Sequence, residues 1–245
     1  MTDLGDRMKG YEDTFDYALP LRLPVILRVD GRAFHAYTKG LERPFDVRFM
    51  GAMNEVALRL CAEIDGAKLA YIQSDEISIL LHNYQRLQTG AWFGNQVQKI
   101  VSVAASLAGV AMTLASESLF AAIKPACFDA RVFVLPEAEV CNYFLWRQQD
   151  ATRNSIQMLT RSLYSHREVF QKDMSDMQEM CFQKGHNWGL LPTNQRRGRC
   201  VLRLDRGGMR PEWAVDDEIP EFNLDRAFVE RHLALAAPQQ ETPAP

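Results

Sequence analysis

Residues 23–31 read Leu-Pro-Val-Ile-Leu-Arg-Val-Asp-Gly, an apolar run that stops at Asp30-Gly31. Short apolar runs rich in Val and Ile that end in a turn sequence are typical of buried β-strands. This stretch therefore predicts a buried strand that carries an aspartate at its end. Both the predicted fold and the predicted site are built outward from it.

The segments after this strand predict the order strand, helix, strand, strand, helix, strand. They are a helix from Asp46, its predicted N-cap, to Ile64, strands over 67–72 and 77–81, a helix over 92–112 and a strand over 128–135. This order is that of an α+β, ferredoxin-like domain, in which the first and third strands are central, adjacent and antiparallel. It brings Asp30 close to Asp75, which lies in the hairpin that begins the third strand.

The second half of the chain has a different pattern. Residues 1–136 are predicted to form the catalytic domain, and residues 137–235 a C-terminal helical arm with a hairpin and a surface wrap. The hairpin is expected within 185–206, and the acidic residues 211–232 are expected to wrap the surface. Residues 236–245 are rich in Pro, Gln and Ala and are predicted to be disordered.

Composition limits the class of protein. The 245 residues are 47% hydrophobic, enough for a sizeable core, and the formal net charge is only −3. This excludes the strong overall basic bias of proteins that bind nucleic acid mainly through phosphates, but not a local basic stripe. The five cysteines are scattered without a CxxC pair, which predicts reduced thiols. No signal peptide or membrane-length apolar run is recognised, so a soluble, cytoplasmic protein without membrane contact is expected.

Two carboxylates that meet at one edge of a sheet suit hard cations such as Mg²⁺, which prefer oxygen ligands. The residues after Asp30 (31–35) follow the strand directly, so their backbone N–H groups are expected to face a triphosphate. Lys39, Arg43 and Lys99 are cations that the predicted topology leaves near these phosphates. Asp-Gly and Ser-Asp-Glu are also ordinary turn sequences, so the residues alone leave plain turn chemistry open.

Four motifs resemble those of the tRNA-His guanylyltransferase family, which includes bacterial and archaeal 3′-to-5′ polymerases. They are Arg28-Val29-Asp30-Gly31-Arg32-Ala33-Phe34-His35, Gln73-Ser74-Asp75-Glu76, Phe128-Asp129-Ala130-Arg131 and Trp146-Arg147-Gln148-Gln149-Asp150. The resemblance runs from about residue 22 to 203. It implies a palm domain that adds nucleotides to the 5′ end of a tRNA after ATP or GTP has activated that end.

The same resemblance implies roles for individual residues. Asp30 and Asp75 would be catalytic and, with the carbonyl of Gly31, would hold two Mg²⁺ ions. The nucleotide-binding residues would be Asp30, Gly31, Arg32, Ala33, Phe34, His35, Arg43, Ser74, Asp75 and Lys99. Glu76 and Asn154 would support the site from behind. The implied partners are tRNA, ATP, GTP and other nucleoside triphosphates, and the implied assembly is a homotetramer.

One motif departs from the family pattern. Eukaryotic members carry His-Ile-Asn-Asn where this chain has Thr152-Arg153-Asn154-Ser155. This resembles the guanylyltransferase-like subgroup, and it favours template-dependent repair of 5′-truncated tRNA over dedicated addition of guanosine to tRNA-His.

Two groups of arginines are candidates for RNA contact. They are Arg147, Arg153, Arg161 and Arg167 in the arm, and Arg196, Arg197 and Arg199 near Trp188. For the arm group, a solvated helix face with ion pairs explains the pattern equally well. Two other functions stay open on the sequence alone: a palm-type nucleotide cyclase and a non-catalytic RNA-binding module.

Overall fold

A computed structural model describes residues 3–85, 88–204 and 212–234 of the chain. It is a mixed α/β structure built on one antiparallel sheet of six strands in the order β4-β1-β3-β2-β5-β6. The strands are β1 (Val25–Gly31), β2 (Ala67–Gln73), β3 (Glu76–Leu81), β4 (Phe128–Val134), β5 (Arg199–Leu204) and β6 (Glu212–Asp216).

Nine α-helices occur within the described residues. They are α1 (Leu4–Asp13), α2 (Phe34–Tyr37), α3 (Val47–Glu63), α4 (Val97–Phe120), α5 (Glu137–Leu163), α6 (His166–Val169), α7 (Met174–Gln183), α8 (Thr193–Arg197) and α9 (Ala227–Glu230). Short 3₁₀ turns precede α4 and α8 at Trp92–Asn95 and Trp188–Leu190. The sequence did not indicate α1, which has no buried residue.

The predicted order of the first four strands and their two long helices is confirmed. Strand β1 pairs antiparallel with β3, and Asp30 lies opposite Glu76 in that register. A two-residue turn, Ser74-Asp75, joins β2 to β3. Asp46 caps α3 as expected, because its carboxylate accepts the backbone N–H groups of Arg48 and Phe49.

The sheet separates two apolar cores because successive side chains along a strand point to opposite faces. Val25, Leu27 and Val29 of β1 lie in the core that α3 and α4 cover. Ile26, between them, lies in the core under α5. Asp30 lies on the same face of the sheet as Ile26, which is the face that α5 covers. The site residues therefore lie at the end of this face.

The C-terminal segment is more than the surface wrap that its acidic composition predicted. Phe222 and Val229 are fully buried, and Ile219 and Leu233 are nearly so, in the core under α5. Apolar residues spaced irregularly among acids give no periodic signal, which is why the sequence did not reveal this packing.

The region after α7 also differs from its prediction. The described part of the predicted hairpin, residues 185–204, contains α8 and then β5, which pairs with both β2 and β6 rather than with a second strand of the same segment. The division of the chain at residue 136 stays a prediction, although these two later strands extend the sheet of the first part. The tail predicted to be disordered, 236–245, lies outside the described residues.

One helix corrects the expectation about apolar runs. Helix α4 has 24 residues, and an 18-residue window of it reaches a mean hydropathy of 1.6, enough in length and composition to cross a membrane. Ile100, Ala104, Ala108 and Met112 bury one of its faces in the sheet core. Because small residues separate the larger apolar residues of α4, the length of this apolar segment is not apparent from the sequence alone.

Candidate active site

The acid pair expected from the strand order is brought together at the end of β1. The backbone N–H of Gly31 donates to the carbonyl of Asp75 at 3.1 Å, which ties the end of β1 to the β2–β3 turn. Asp30 lies opposite Glu76 on β3 and opposite Asp129 on β4. Four carboxylates are thus gathered at one edge of the sheet.

Two carboxylates at this edge, Asp30 and Asp75, have raised pKa values because they are buried and close to other carboxylates. Burial, and next the charges of Asp75, Glu76 and Asp129, raise the pKa of Asp30 to about 6. Burial also raises the pKa of Asp75, although a hydrogen bond from Ser74 opposes the shift. Carboxylates that are this crowded are poorly stabilised by the protein itself and favour a bound cation.

Among the described residues, no three side chains of His, Cys, Asp or Glu converge tightly enough to form a complete metal cage. Mg²⁺ does not need one, since it is usually held by one or two carboxylates together with water and substrate phosphates. Asp30 and Asp75 supply such a pair, and Gly31 directly follows Asp30 in the chain. The residues present therefore fit Mg²⁺ but give no count of ions.

The turn after β1 is shaped by a close contact. A Cβ at Gly31 would overlap the ring of Phe34, so only glycine allows the chain to fold back here. Ala33 adopts a left-handed conformation (φ 58°) and begins α2. In the described chain the backbone N–H groups of residues 33–35 have no recorded backbone acceptor. Such N–H groups are suited to an anionic ligand, and the binding of a triphosphate by this turn stays a prediction.

The side chain of Phe34 has a structural position. It is buried against Tyr37, at 4.7 Å between ring centroids, and against Phe128, at 5.0 Å. Any contact of Phe34 with a nucleotide is therefore left to its backbone. From the other side, Lys124 donates to the carbonyl of Tyr37 and lies 4.6 Å from its ring centroid, while the Tyr37 hydroxyl donates to the Lys124 carbonyl. Contacts of both Phe34 and Tyr37 therefore hold the turn after β1 in place.

Two cavities meet at the acid edge. The larger, of about 580 Å³, lies between the turn, the start of α3 and helices α5 and α8. The smaller, of about 250 Å³, lies between Asp30, Glu76 and α5. Ser74 and Asp75 line both cavities, so the turn that carries one of the two acids forms their common wall.

Of the other predicted nucleotide-binding residues, some line the larger cavity and some do not. His35 and Arg43 line the larger cavity, and both are exposed there. Arg32 is exposed next to the turn but lines neither cavity. Within the chain Lys99 lies in the first turn of α4, whereas the end of α4 that packs on Tyr37 is roughly 30 Å away at 1.5 Å per residue. Contact of Lys99 with a nucleotide stays a prediction.

Glu76 supports the site through a buried ion pair. Arg147 of α5 donates to both of its carboxylate oxygens, at 2.7 and 2.8 Å. Arg147 also donates to Asp150, which accepts a further bond from Arg153 and a long one, 3.5 Å, from Asn154. Asn154 lines both cavities, close to where the sequence expectation put it.

Two arginines predicted to contact RNA do not fit that role. Arg147 is only 6% exposed, and its donors are taken by Glu76 and Asp150. Arg199 is 2% exposed and donates to Asn54 and to the Met50 carbonyl. Residues far away in the sequence bury both arginines, and the local sequence pattern around each arginine does not reveal this.

The remaining predicted RNA contacts are nearer to the surface. Arg153 is exposed but ion-paired with Asp150 at 2.9 Å. Arg197 is paired with Glu221 at 2.9 Å, and Arg196 lies 5.9 Å from the ring centroid of Trp188. RNA contact by these three residues stays a prediction.

Sequence reasoning missed Asp129 as a member of the acid edge, although it belongs to a recognised motif. Its alternation with Phe128 along β4 was the available signal, since Phe128 points to the core and Asp129 away from it. Arg161 was considered only as part of a helix stripe, yet it lines both cavities.

Comparison with known proteins identifies a family and similar solved structures. Residues 5–136 match the family model described as tRNAHis guanylyltransferase. A bacterial tRNA(His) guanylyltransferase-like protein solved in complex with ATP is 44% identical, with a TM-score of 0.90 over 96% of this chain and 100% of that one. A structure of such a protein with GTP is 42% identical, with a TM-score of 0.81 over 95% of this chain and 100% of that one.

A known relative indicates the same family. The tRNA(His) guanylyltransferase of Debaryomyces hansenii is 33% identical over 73% of this chain and 73% of its own length. These matches define a nucleotidyltransferase that adds nucleotides in the 3′-to-5′ direction to tRNA. The chain belongs to the tRNA(His) guanylyltransferase family. A non-catalytic RNA-binding module is therefore the wrong alternative.

Proposed function

We propose that this chain repairs tRNAs that lack 5′ nucleotides, adding each missing nucleotide opposite its template base. The observation that carries the proposal is the common wall of Ser74 and Asp75 between the two cavities. An enzyme that joins a nucleotide to an RNA end must hold two phosphate-bearing substrates on either side of one reactive centre. Repair is preferred to dedicated guanosine addition because Thr152-Arg153-Asn154-Ser155 replaces the His-Ile-Asn-Asn segment.

In this proposal the larger cavity takes the triphosphate of ATP or GTP. The free N–H groups of residues 33–35 bind its oxygens, and Arg43 neutralises part of its charge. Asp30 and Asp75, with the Gly31 carbonyl, hold two Mg²⁺ ions, as in a palm domain. The bound metals supply charge neutralisation and lower the pKa of an attacking hydroxyl.

The order of events follows from the two substrates. The 5′-phosphate of the RNA first attacks the α-phosphate of ATP or GTP and releases pyrophosphate. The 3′-hydroxyl of the incoming nucleotide then attacks the activated 5′ phosphate and releases the nucleoside monophosphate. Asp75 acts in both steps because it borders both cavities, and Asp30 acts beside it from the smaller cavity. The proposed assembly is a homotetramer and the proposed location is the cytoplasm.

The test is extension of a tRNA transcript that lacks its first nucleotide. The transcript carries a 5′-monophosphate or a 5′-triphosphate, and each nucleoside triphosphate is supplied in turn with Mg²⁺. The base opposite the gap is varied. Addition that follows the opposing base supports template-dependent repair, whereas guanosine added opposite every base points to tRNA-His guanylylation. Nucleotide turnover without RNA extension favours a cyclase-like activity and contradicts the proposal.

A further inference from the structure

Helix α5 turns one face toward the acid edge. Arg147, Asp150, Asn154, Met158 and Arg161 follow one another at steps of three and four, which places them along one side of an α-helix. All five line the smaller cavity. This side therefore forms the wall opposite Asp30.

The charged groups at the start of this wall neutralise one another. Arg147 is held by Glu76 and Asp150, with side chains only 8%, 12% and 28% exposed. Arg153, one turn further on, is paired with Asp150. None of these arginines has a charge left over for a substrate.

Arg161 differs from both. Across the described residues it has no recorded hydrogen bond, ion pair or ring contact, and it is exposed. Its position is nonetheless specific, because it lines the large cavity as well as the small one. Three other acids of these cavities are already paired with arginines: Asp46 with Arg48 at 2.7 Å, and Glu76 and Asp150 with Arg147.

We propose that Arg161 binds a phosphate group of a substrate where the two cavities meet. A guanidinium has five donors in a planar fork that matches phosphate oxygens, and it stays charged at any physiological pH. Arg161 has no acidic partner and lies beside a site for polyanions, so a phosphate group of the substrate is its most favourable ligand. The inference rests on the proposed function, since it takes the cavities to be the two substrate sites.

The phosphate has two sources. It belongs either to the triphosphate of a free nucleotide in the larger cavity or to the 5′ end of the RNA that enters from the smaller one. The chemistry at Arg161 is the same in both cases, and separate measurements with the two ligands distinguish them.

The test compares Arg161→Ala and Arg161→Lys with the intact chain and with Arg59→Ala. Arg59 is the matched control: it is a surface arginine of α3, its side chain is 62% exposed, and its partner is Glu63. Two quantities are measured for each protein. One is the KM for 5′-phosphorylated, truncated tRNA in the extension assay, and the other is the affinity for ATP and GTP by calorimetric titration with Mg²⁺.

Loss of a charge-assisted contact to phosphate predicts that Arg161→Ala weakens one of these quantities about tenfold, with Arg161→Lys intermediate and Arg59→Ala unchanged. A raised KM for RNA with normal nucleotide affinity assigns the phosphate to the RNA, and the reverse assigns it to the nucleotide. If both quantities stay within twofold of the intact chain, the proposal is overturned. An intact chain that cannot extend RNA defeats the proposed function instead, and the nucleotide titration alone then decides the role of Arg161.

Discussion

Arg147 and Glu76 are 71 residues apart in the chain, yet they form a bidentate ion pair at the acid edge of the sheet. The pair is nearly buried and joins α5 to the first residue of β3, directly after Asp75. It therefore fixes the distance between the wall of the small cavity and the carboxylate turn. The ring of Trp146 lies 4.4 Å from the guanidinium and covers it from solvent.

Replacing Arg147 tests whether its role is structural. Arg147→Ala leaves the buried Glu76 without its charged partner, and we expect a loss of about 3–5 kcal/mol in the free energy of unfolding. Arg153→Ala removes an exposed pair of the same helix and is expected to cost less than about 1 kcal/mol. Chemical denaturation of both variants checks this. Wild-type stability of Arg147→Ala together with weaker RNA binding would restore the original RNA-contact prediction.

Gly31 offers a second prediction because its missing side chain makes room for Phe34. Gly31→Ala forces the ring or the turn to move, so nucleotide affinity is expected to fall roughly tenfold or more, as when one charge-assisted contact is lost. Gly51→Ala is the matched control: nothing lies within 4 Å of a Cβ there, and alanine favours its helix by about 1 kcal/mol. Calorimetric titration with ATP measures the first effect and thermal unfolding the second. Equal nucleotide affinity in the two variants would refute this role of the turn.

Asp46 predicts a pH dependence of stability. The side chain of Arg48, and then the backbone N–H groups of Glu42, Arg48 and Phe49, hold the pKa of Asp46 below its usual value of 3.8. A lowered carboxyl pKa contributes stability that is fully present above the unfolded-state pKa and is lost as the pH falls below it. Asp46→Ala should therefore cost about 1–2 kcal/mol at pH 7, as for other N-caps, and less below pH 4. A cost that stays constant between pH 7 and pH 3 would contradict this explanation.

The acid edge predicts a stability gain on removing charge. Because burial and neighbouring carboxylates raise the pKa of Asp30 to about 6, its ionisation opposes folding of the metal-free chain. This contribution falls as the pH rises through the window between 3.8 and about 6, and the deficit remains above it. Asp30→Asn is thus expected to match or exceed the wild-type melting temperature at pH 7.5 in the presence of a chelator. A clear drop would show that Asp30 stabilises the fold.

The meeting of Asp30 and Asp75 could be predicted from sequence because it depends on strand order, which two apolar runs and one hairpin determine. The positions of Arg147 and Arg199 could not, since burial of an arginine depends on partners far away in the chain. The distance between Lys99 and the turn after β1 could not be predicted for a related reason. The start of α4 was recognised, but its length and the direction in which it crosses the sheet are set by packing, which carries that residue to the far end.

The central claim, that the carboxylates at this edge carry out nucleotide addition, is tested most directly by Asp75→Asn in the tRNA extension assay. Glu63→Gln, a surface acid on α3 paired with Arg59, is the matched control. With Mg²⁺ and all four nucleoside triphosphates, we predict that Asp75→Asn lowers the rate of 5′ addition by at least about a hundredfold while the fold stays intact. The control should retain the wild-type rate. Near-normal addition by a folded Asp75→Asn protein would contradict the account and place the chemistry elsewhere in the chain.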